Sequence, residues 1–128
     1  MHRSRLSTWL IDTPRADAER AATFWSRALG VPATPSPDEP QFTSLRGALP
    51  DLSLAVQALD DGGPRYHLDI ETDDLDAETA RLIALGAEEI DRWLDCRILR
   101  APGGHLLCVI PLHSDPETFA RLATVWDT

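Results

Sequence analysis

Apolar positions near the start of the chain change from strand-like alternation to helical spacing. Ser7-Thr8-Trp9-Leu10-Ile11-Asp12 reads as a strand, and Ala18, Ala21, Ala22, Trp25, Ala28 and Leu29 then fall on one helical stripe. Thr13 is the expected N-cap. Pro14 suits the first helical position, where its missing N–H has no intrahelical partner to lose, and Gly30 is the expected stop. The proline-rich stretch VPATPSPDEP reads as a loop or lid. QFTSLRG and DLSLAVQAL then read as strands joined by a turn near Pro50-Asp51, and DDGGP at 60–64 links the two halves of the chain.

The second half repeats the pattern. RYHLDIE is the strand and Asp74 the expected N-cap, with Asp73, Asp76 and Glu78 placing negative charge near the positive end of the helix dipole. Leu75, Thr79, Leu82, Ile83 and Leu85 are the expected buried side, and Gly86 ends the helix. AEEIDRW, DCRILR and HLLCVI come next as strands, the last two joined through APGG. Asp115-Pro116 is expected to start a last helix carrying Phe119, Leu122, Ala123 and Trp126 on one face, packed on its own domain or on a partner subunit.

The two halves align as an internal repeat. At an offset of 56 residues Asp17 meets Asp73, Ala21 meets Ala77, Thr23 meets Thr79, and Ala28-Leu29-Gly30 meets Ala84-Leu85-Gly86. At an offset of 54, Leu45-Arg46 meets Leu99-Arg100 and Leu52 meets Leu106. The expected organisation is one α+β domain over residues 1–128, built from two tandem βαβββ modules at about 6–59 and about 65–111 and a C-terminal helix at about 115–126.

Composition narrows the function classes. Twelve basic against 21 acidic residues give a formal charge of −9, which repels phosphate backbones and anionic lipid, so neither nucleic acid nor membrane is an expected partner. All the basic residues are Arg; with no Lys in the chain, Schiff-base chemistry, pyridoxal phosphate attachment and a P-loop lysine are excluded. Cys96 and Cys108 lie too far apart for a C-x-x-C pair and are too few for a disulfide framework, so reduced thiols in a cytoplasmic protein are the expectation. MHRSRLSTWLIDTP lacks the apolar core of a signal peptide, and no stretch approaches the roughly 18 apolar residues of a membrane span.

FWSRALG closing the first helix, YHLDIETDDLDAE opening the second module and PGGHLLCVI in the last strand together resemble the vicinal oxygen chelate superfamily, in particular its glyoxalase-like and bleomycin-resistance-like branch. The likeness covers nearly the whole chain up to the last helix. The departures are Ala101, where the family usually has Asp, and Leu107, where it usually has Phe. The resemblance implies a half-open barrel around a small-molecule pocket, often completed by homodimerisation. It spans metal-dependent isomerases, lyases and dioxygenases as well as binding proteins, and fold alone does not choose among them.

In the metal-using members the resemblance implies His, Gln or Glu ligands from the first and last strand of each module. Here these positions fall near Leu10, near Leu54, at His67 and at Cys108. Leu10 and Leu54 carry no donor, so neither a metal nor any other cofactor is expected. Strand alternation sets His67, Asp69 and Glu71 opposite Tyr66, Leu68 and Ile70, and directs Leu10, Asp12, Leu54, Val56, Cys108 and Ile110 inward. The expected ligand-binding set is Leu10, Asp12, Leu54, Val56, His67, Asp69 and Cys108, a mainly apolar pocket with a few polar groups. Glu71 is expected to be solvated, and Trp9, Trp25 and Trp93 to be core or pocket wall.

Besides a structural or regulatory module, two readings remain open on these residues. One is a metal-free protein that sequesters a small, partly apolar molecule. The other is an enzyme, either with His67 and Asp69 as a base and its orienting partner, or with an unusual metal set in which His67 and Asp69 are joined by His105 or His113.

Overall fold

The computed structural model describes residues 1–127. Its elements run in the order β1 (His2–Pro14), α1 (Ala18–Leu29), β2 (Thr34–Pro35), β3 (Phe42–Ser44), β4 (Ser53–Leu59), β5 (Arg65–Thr72), α2 (Leu75–Ala84), β6 (Glu88–Trp93), β7 (Cys96–Arg100), β8 (Leu106–Pro111), α3 (Pro116–Leu122) and β9 (Thr124–Trp126). This is the α+β order of two βαβββ modules, the first of them including a two-residue strand in the proline-rich loop, followed by α3 and β9. The chain divides into two compact units, Thr8–His67 and Met1–Ser7 with Leu68–Thr128, so that β1 and β5 each begin in one and end in the other.

In the unit Thr8–His67 the strand order is β2-β3-β4-β1. The β1 and β4 strands run parallel with Trp9 opposite Leu54, Ile11 opposite Val56 and Asp12 opposite Gln57. Because partners across a rung share a face, Ile11, Leu54 and Val56 point together toward α1, where they form a buried cluster with Ala22 and Leu45. Trp25 and Ala21 pack on that cluster from α1. The helix ends where Gly30 adopts φ +70, a left-handed conformation that glycine enters without the Cβ penalty. Its start differs from expectation: β1 runs on through Thr13 and Pro14, a 3-10 turn comes next at Arg15–Asp17, and α1 begins only at Ala18.

In the other unit the order is β9-β1-β5-β8-β7-β6. The β5 and β8 strands are parallel, with Asp69 opposite Cys108 and Ile70 opposite Val109. Leu99 and Val109 are fully buried. Asp74 caps α2 by accepting the Ala77 N–H at 3.0 Å. Its buried residues are Glu78 and Thr79, whereas Ile83 and Leu85, expected inside, are exposed. Glu78 is drawn in by two basic groups: Arg81 donates Nε and Nη2 to its two oxygens, both at 2.8 Å, and His2 Nε2 lies 2.8 Å from Oε1.

Glu71, expected to be solvated, is also fully buried. The Ser114 N–H and Oγ–H donate to its two oxygens at 3.2 and 2.6 Å, and Arg5 Nη1 lies 3.7 Å away. Helix α3 starts at the expected Asp115-Pro116, but it stops at Leu122. Trp126 lies in β9 instead of on the helix stripe, paired with His2 and donating its indole N–H to Ser4 Oγ at 2.9 Å.

Candidate functional site

Within Thr8–His67, strands β1 and β5 bring Asp12 and His67 together although 55 residues separate them. Asp12 Oδ2 lies 2.5 Å from His67 Nδ1. Asp12 is only 3 % exposed, and the imidazole is largely covered. The contact joins an acidic group to a basic ring away from solvent, the setting in which charge-assisted hydrogen bonds form. With Asp12 ionised the carboxylate only accepts, so Nδ1 is then the donor of this pair. The second carboxylate oxygen, Oδ1, is buried and makes no hydrogen bond among the described residues.

The register sorts the other expected residues. Leu10 is buried on the same face of β1 as Asp12. Leu54 and Val56 are on the opposite face, in the cluster beneath α1, because alternation fixes a strand's parity only after its pairing is known. The β4 residue level with Asp12 is Gln57, and Phe42 of β3 lies level with Gln57. This Asp12–Gln57–Phe42 rung sets a carboxylate, an amide and an aromatic ring along one face, and only the pairing reveals it. A cavity of about 290 Å³ in the same unit is lined by Ile11, Thr13, Ala21, Trp25 and Tyr66, among others. Trp9 meets Tyr66 edge to face at 6.1 Å between ring centroids.

Asp69 and Cys108 are partly buried and stand opposite each other across β5 and β8. His67 precedes Asp69 by two positions on its strand. His67, Asp69 and Cys108 are the imidazole, carboxylate and thiol that form a group of metal-donor types among the described residues, and neither His105 nor His113 belongs to it. Both of those histidines are exposed. Trp93 is exposed on β6 and is not part of a core.

The four-cornered metal centre implied by the resemblance is not reproduced. Leu10 and Leu54 offer no donor and are buried, and the carboxylate that β1 does present, Asp12, is engaged by His67.

An α+β protein of two βαβββ modules, with its polar pair at the junction of the first strands of the two modules, is the class that fold and site define. The family model for the glyoxalase-like domain matches residues 9–110, and the chain belongs to that family, within the vicinal oxygen chelate superfamily. No curated protein matches the chain by sequence. Three solved structures have a similar fold. An NAD-dependent benzaldehyde dehydrogenase from Legionella pneumophila has a TM-score of 0.63 at 13 % identity, over 83 % of this chain and 98 % of that one. Methylmalonyl-CoA epimerase from Mycobacterium tuberculosis has 0.51 at 20 %, over 85 % and 88 %. A glyoxalase/bleomycin resistance protein/dioxygenase superfamily member from Vibrio splendidus has 0.55 at 15 %, over 85 % and 99 %. At these identities the likeness is one of fold. No helix among the described residues is long and apolar enough to cross a membrane.

Proposed function

We propose that this domain binds a small, partly apolar molecule, in the manner of a resistance or sequestration protein, without the family's metal centre and with His67 as its polar anchor. The observation that carries the reading is the 2.5 Å contact between buried Asp12 and His67. It presets an imidazole on a face that otherwise carries Leu10 and, across the sheet, Phe42. A few fixed polar groups among apolar ones are what small-molecule sites use for orientation. The formal charge of −9 favours a neutral or cationic ligand over an anionic one. A cytoplasmic homodimer belongs to the same proposal.

A second reading has its own support. His67, Asp69 and Cys108 are donor types that divalent transition metals accept, and a carboxylate on the far nitrogen of a histidine is a common support for a ligating ring. This reading makes the protein an enzyme with an atypical ligand set.

Metal analysis of protein purified without chelator separates the two. The binding reading expects substoichiometric Ni, Zn, Fe and Mn, together with thermal stabilisation by members of a library of neutral and cationic natural products. One equivalent of metal, lost on His67→Ala, refutes it in favour of the enzyme.

A further inference from the structure

Strand alternation gives β1 and β5 two faces, and only one of them carries the Asp12–His67 pair. Ile11 and Thr13 flank Asp12 on β1 and Tyr66 precedes His67 on β5, so their side chains leave the sheet on the other face. That face is the one beside α1, and these residues border the cavity of about 290 Å³ together with Ala21 and Trp25, one turn apart on the helix. The volume is at the small end of the range for small-molecule sites, roughly 300–1,000 Å³, and suits one or two fused rings.

Both aromatic walls are braced by a second ring. Trp25 meets Phe24 edge to face at 5.2 Å between centroids, and Tyr66 meets Trp9 in the same way at 6.1 Å. Tyr66 and Trp9 stay exposed, although rings of this size contribute strongly to a core when they are buried. Among the described residues, Arg65 is the one cationic side chain bordering the cavity. It opens β5 and turns back over the preceding loop, where Nη1 donates to the Gly63 carbonyl at 3.1 Å. Gly62 makes room for this, since a Cβ there would collide with Nη1. The guanidinium is thus oriented by a neutral carbonyl and not by a carboxylate, and Asp60 of the same loop is taken by Arg15.

We propose that this cavity is a second binding site, on the face opposite Asp12 and His67, for a planar aromatic carboxylate. The ring lies against Trp25 and Tyr66, and Arg65 takes the carboxylate in a two-point contact. Aromatic faces accept planar apolar bodies, and the planar fork of a guanidinium matches the two oxygens of a carboxylate. The formal charge of −9 opposes an anion at long range, but that repulsion is screened over roughly 8–10 Å in physiological salt, whereas Arg65 acts in contact. The site stands apart from the function proposed above, because it uses neither the Asp12 carboxylate nor the His67 ring.

Isothermal titration calorimetry with 2-naphthoate and its neutral amide, 2-naphthamide, tests the charge preference. Wild-type protein is expected to bind naphthoate about 10-fold more tightly than the amide. Equal affinity for the two, or binding of neither, overturns the proposal without recourse to any variant. Arg65 is exposed, and Arg65→Gln is expected to lower naphthoate affinity about 10-fold while the amide keeps its own; a preference that survives the substitution overturns the role of Arg65. Proton–nitrogen spectra locate the probe. The indole N–H signal of Trp25, assigned through Trp25→Phe, is expected to shift as naphthoate is added. An unmoved Trp25 signal at saturation means that naphthoate sits elsewhere, the Asp12–His67 face included, and overturns the site.

Discussion

Replacing Glu78 tests how far the fold depends on one buried carboxylate. The residue is 0 % exposed and receives two hydrogen bonds from Arg81 and one from His2, all at 2.8 Å. Arg81 in turn lies 3.7 Å from the centroid of the Trp126 ring, so the cluster joins β1, α2 and β9. Glu78→Ala leaves the Arg81 guanidinium, which has little access to water, without its carboxylate partner. Removing one partner of a buried pair in this way costs roughly 3–5 kcal/mol. For a chain of this size each kcal/mol lowers Tm by about 3–5 °C, so the expected fall is about 10–20 °C, read by circular dichroism or calorimetry. Burial raises the Glu78 pKa, but hydrogen bonds from Arg81, His2 and Ser4 and the Arg81 charge together outweigh it and hold the group below its ordinary 4.5. With the folded pKa depressed, the contribution is complete above the unfolded value and is lost as pH falls through the lower, folded one. Glu78→Gln should therefore lose less stability than Glu78→Ala at neutral pH, and its acid unfolding should be less steep than that of wild type below pH 4.5. A loss under about 1 kcal/mol for Glu78→Ala would instead mean that Arg81 finds solvent or another partner at little cost and that the fold does not depend on this carboxylate.

Two further substitutions check the packing and the helix end. Leu99→Ala removes a fully buried side chain from β7 and should cost about 2–5 kcal/mol by urea denaturation; a loss below about 1 kcal/mol would mean that the sheet collapses into the space. Gly30→Ala meets no atom within 4 Å of the new Cβ but keeps φ +70, so the expected loss of about 1 kcal/mol is conformational strain alone, and an unchanged midpoint would show that the turn relaxes freely.

What could be read from the sequence was local. The Gly30 stop, the Asp74 and Asp115 caps and, apart from β2 and β9, the order of strands and helices depend on residues within a turn of one another, and the structure has them. What could not be read depended on partners far along the chain. The stretch His2–Leu6 has a polar composition that gives no strand signal, yet His2 and Ser4 are buried because Glu78 and Trp126 satisfy them across 76 and 122 residues. Glu78 itself reads as dipole charge at a helix start until those partners are known. The inward assignment of Leu54 and Val56 needed the β1–β4 register, and a shift of one residue transfers a strand's whole set of side chains to the other face. The same register sets Gln57 and Phe42 level with Asp12.

The Asp12–His67 pair shows why such long-range polar contacts should be separated by how completely they are satisfied. A domain of this size buries polar side chains only at the cost of their hydration, so those kept for stability carry a full set of hydrogen bonds. Glu71 meets that standard through Ser114, with Arg5 behind it, and Glu78 through Arg81 and His2. Asp12 does not, since Oδ1 has no donor among the described residues while Oδ2 has one short contact. A pair held for stability alone would gain from a donor at Oδ1, and Gln57, level with Asp12 on the adjacent strand, has an amide that could supply one but makes no such bond. Incomplete satisfaction therefore sets the Asp12–His67 pair apart from the Glu71 and Glu78 networks, whose oxygens all have donors.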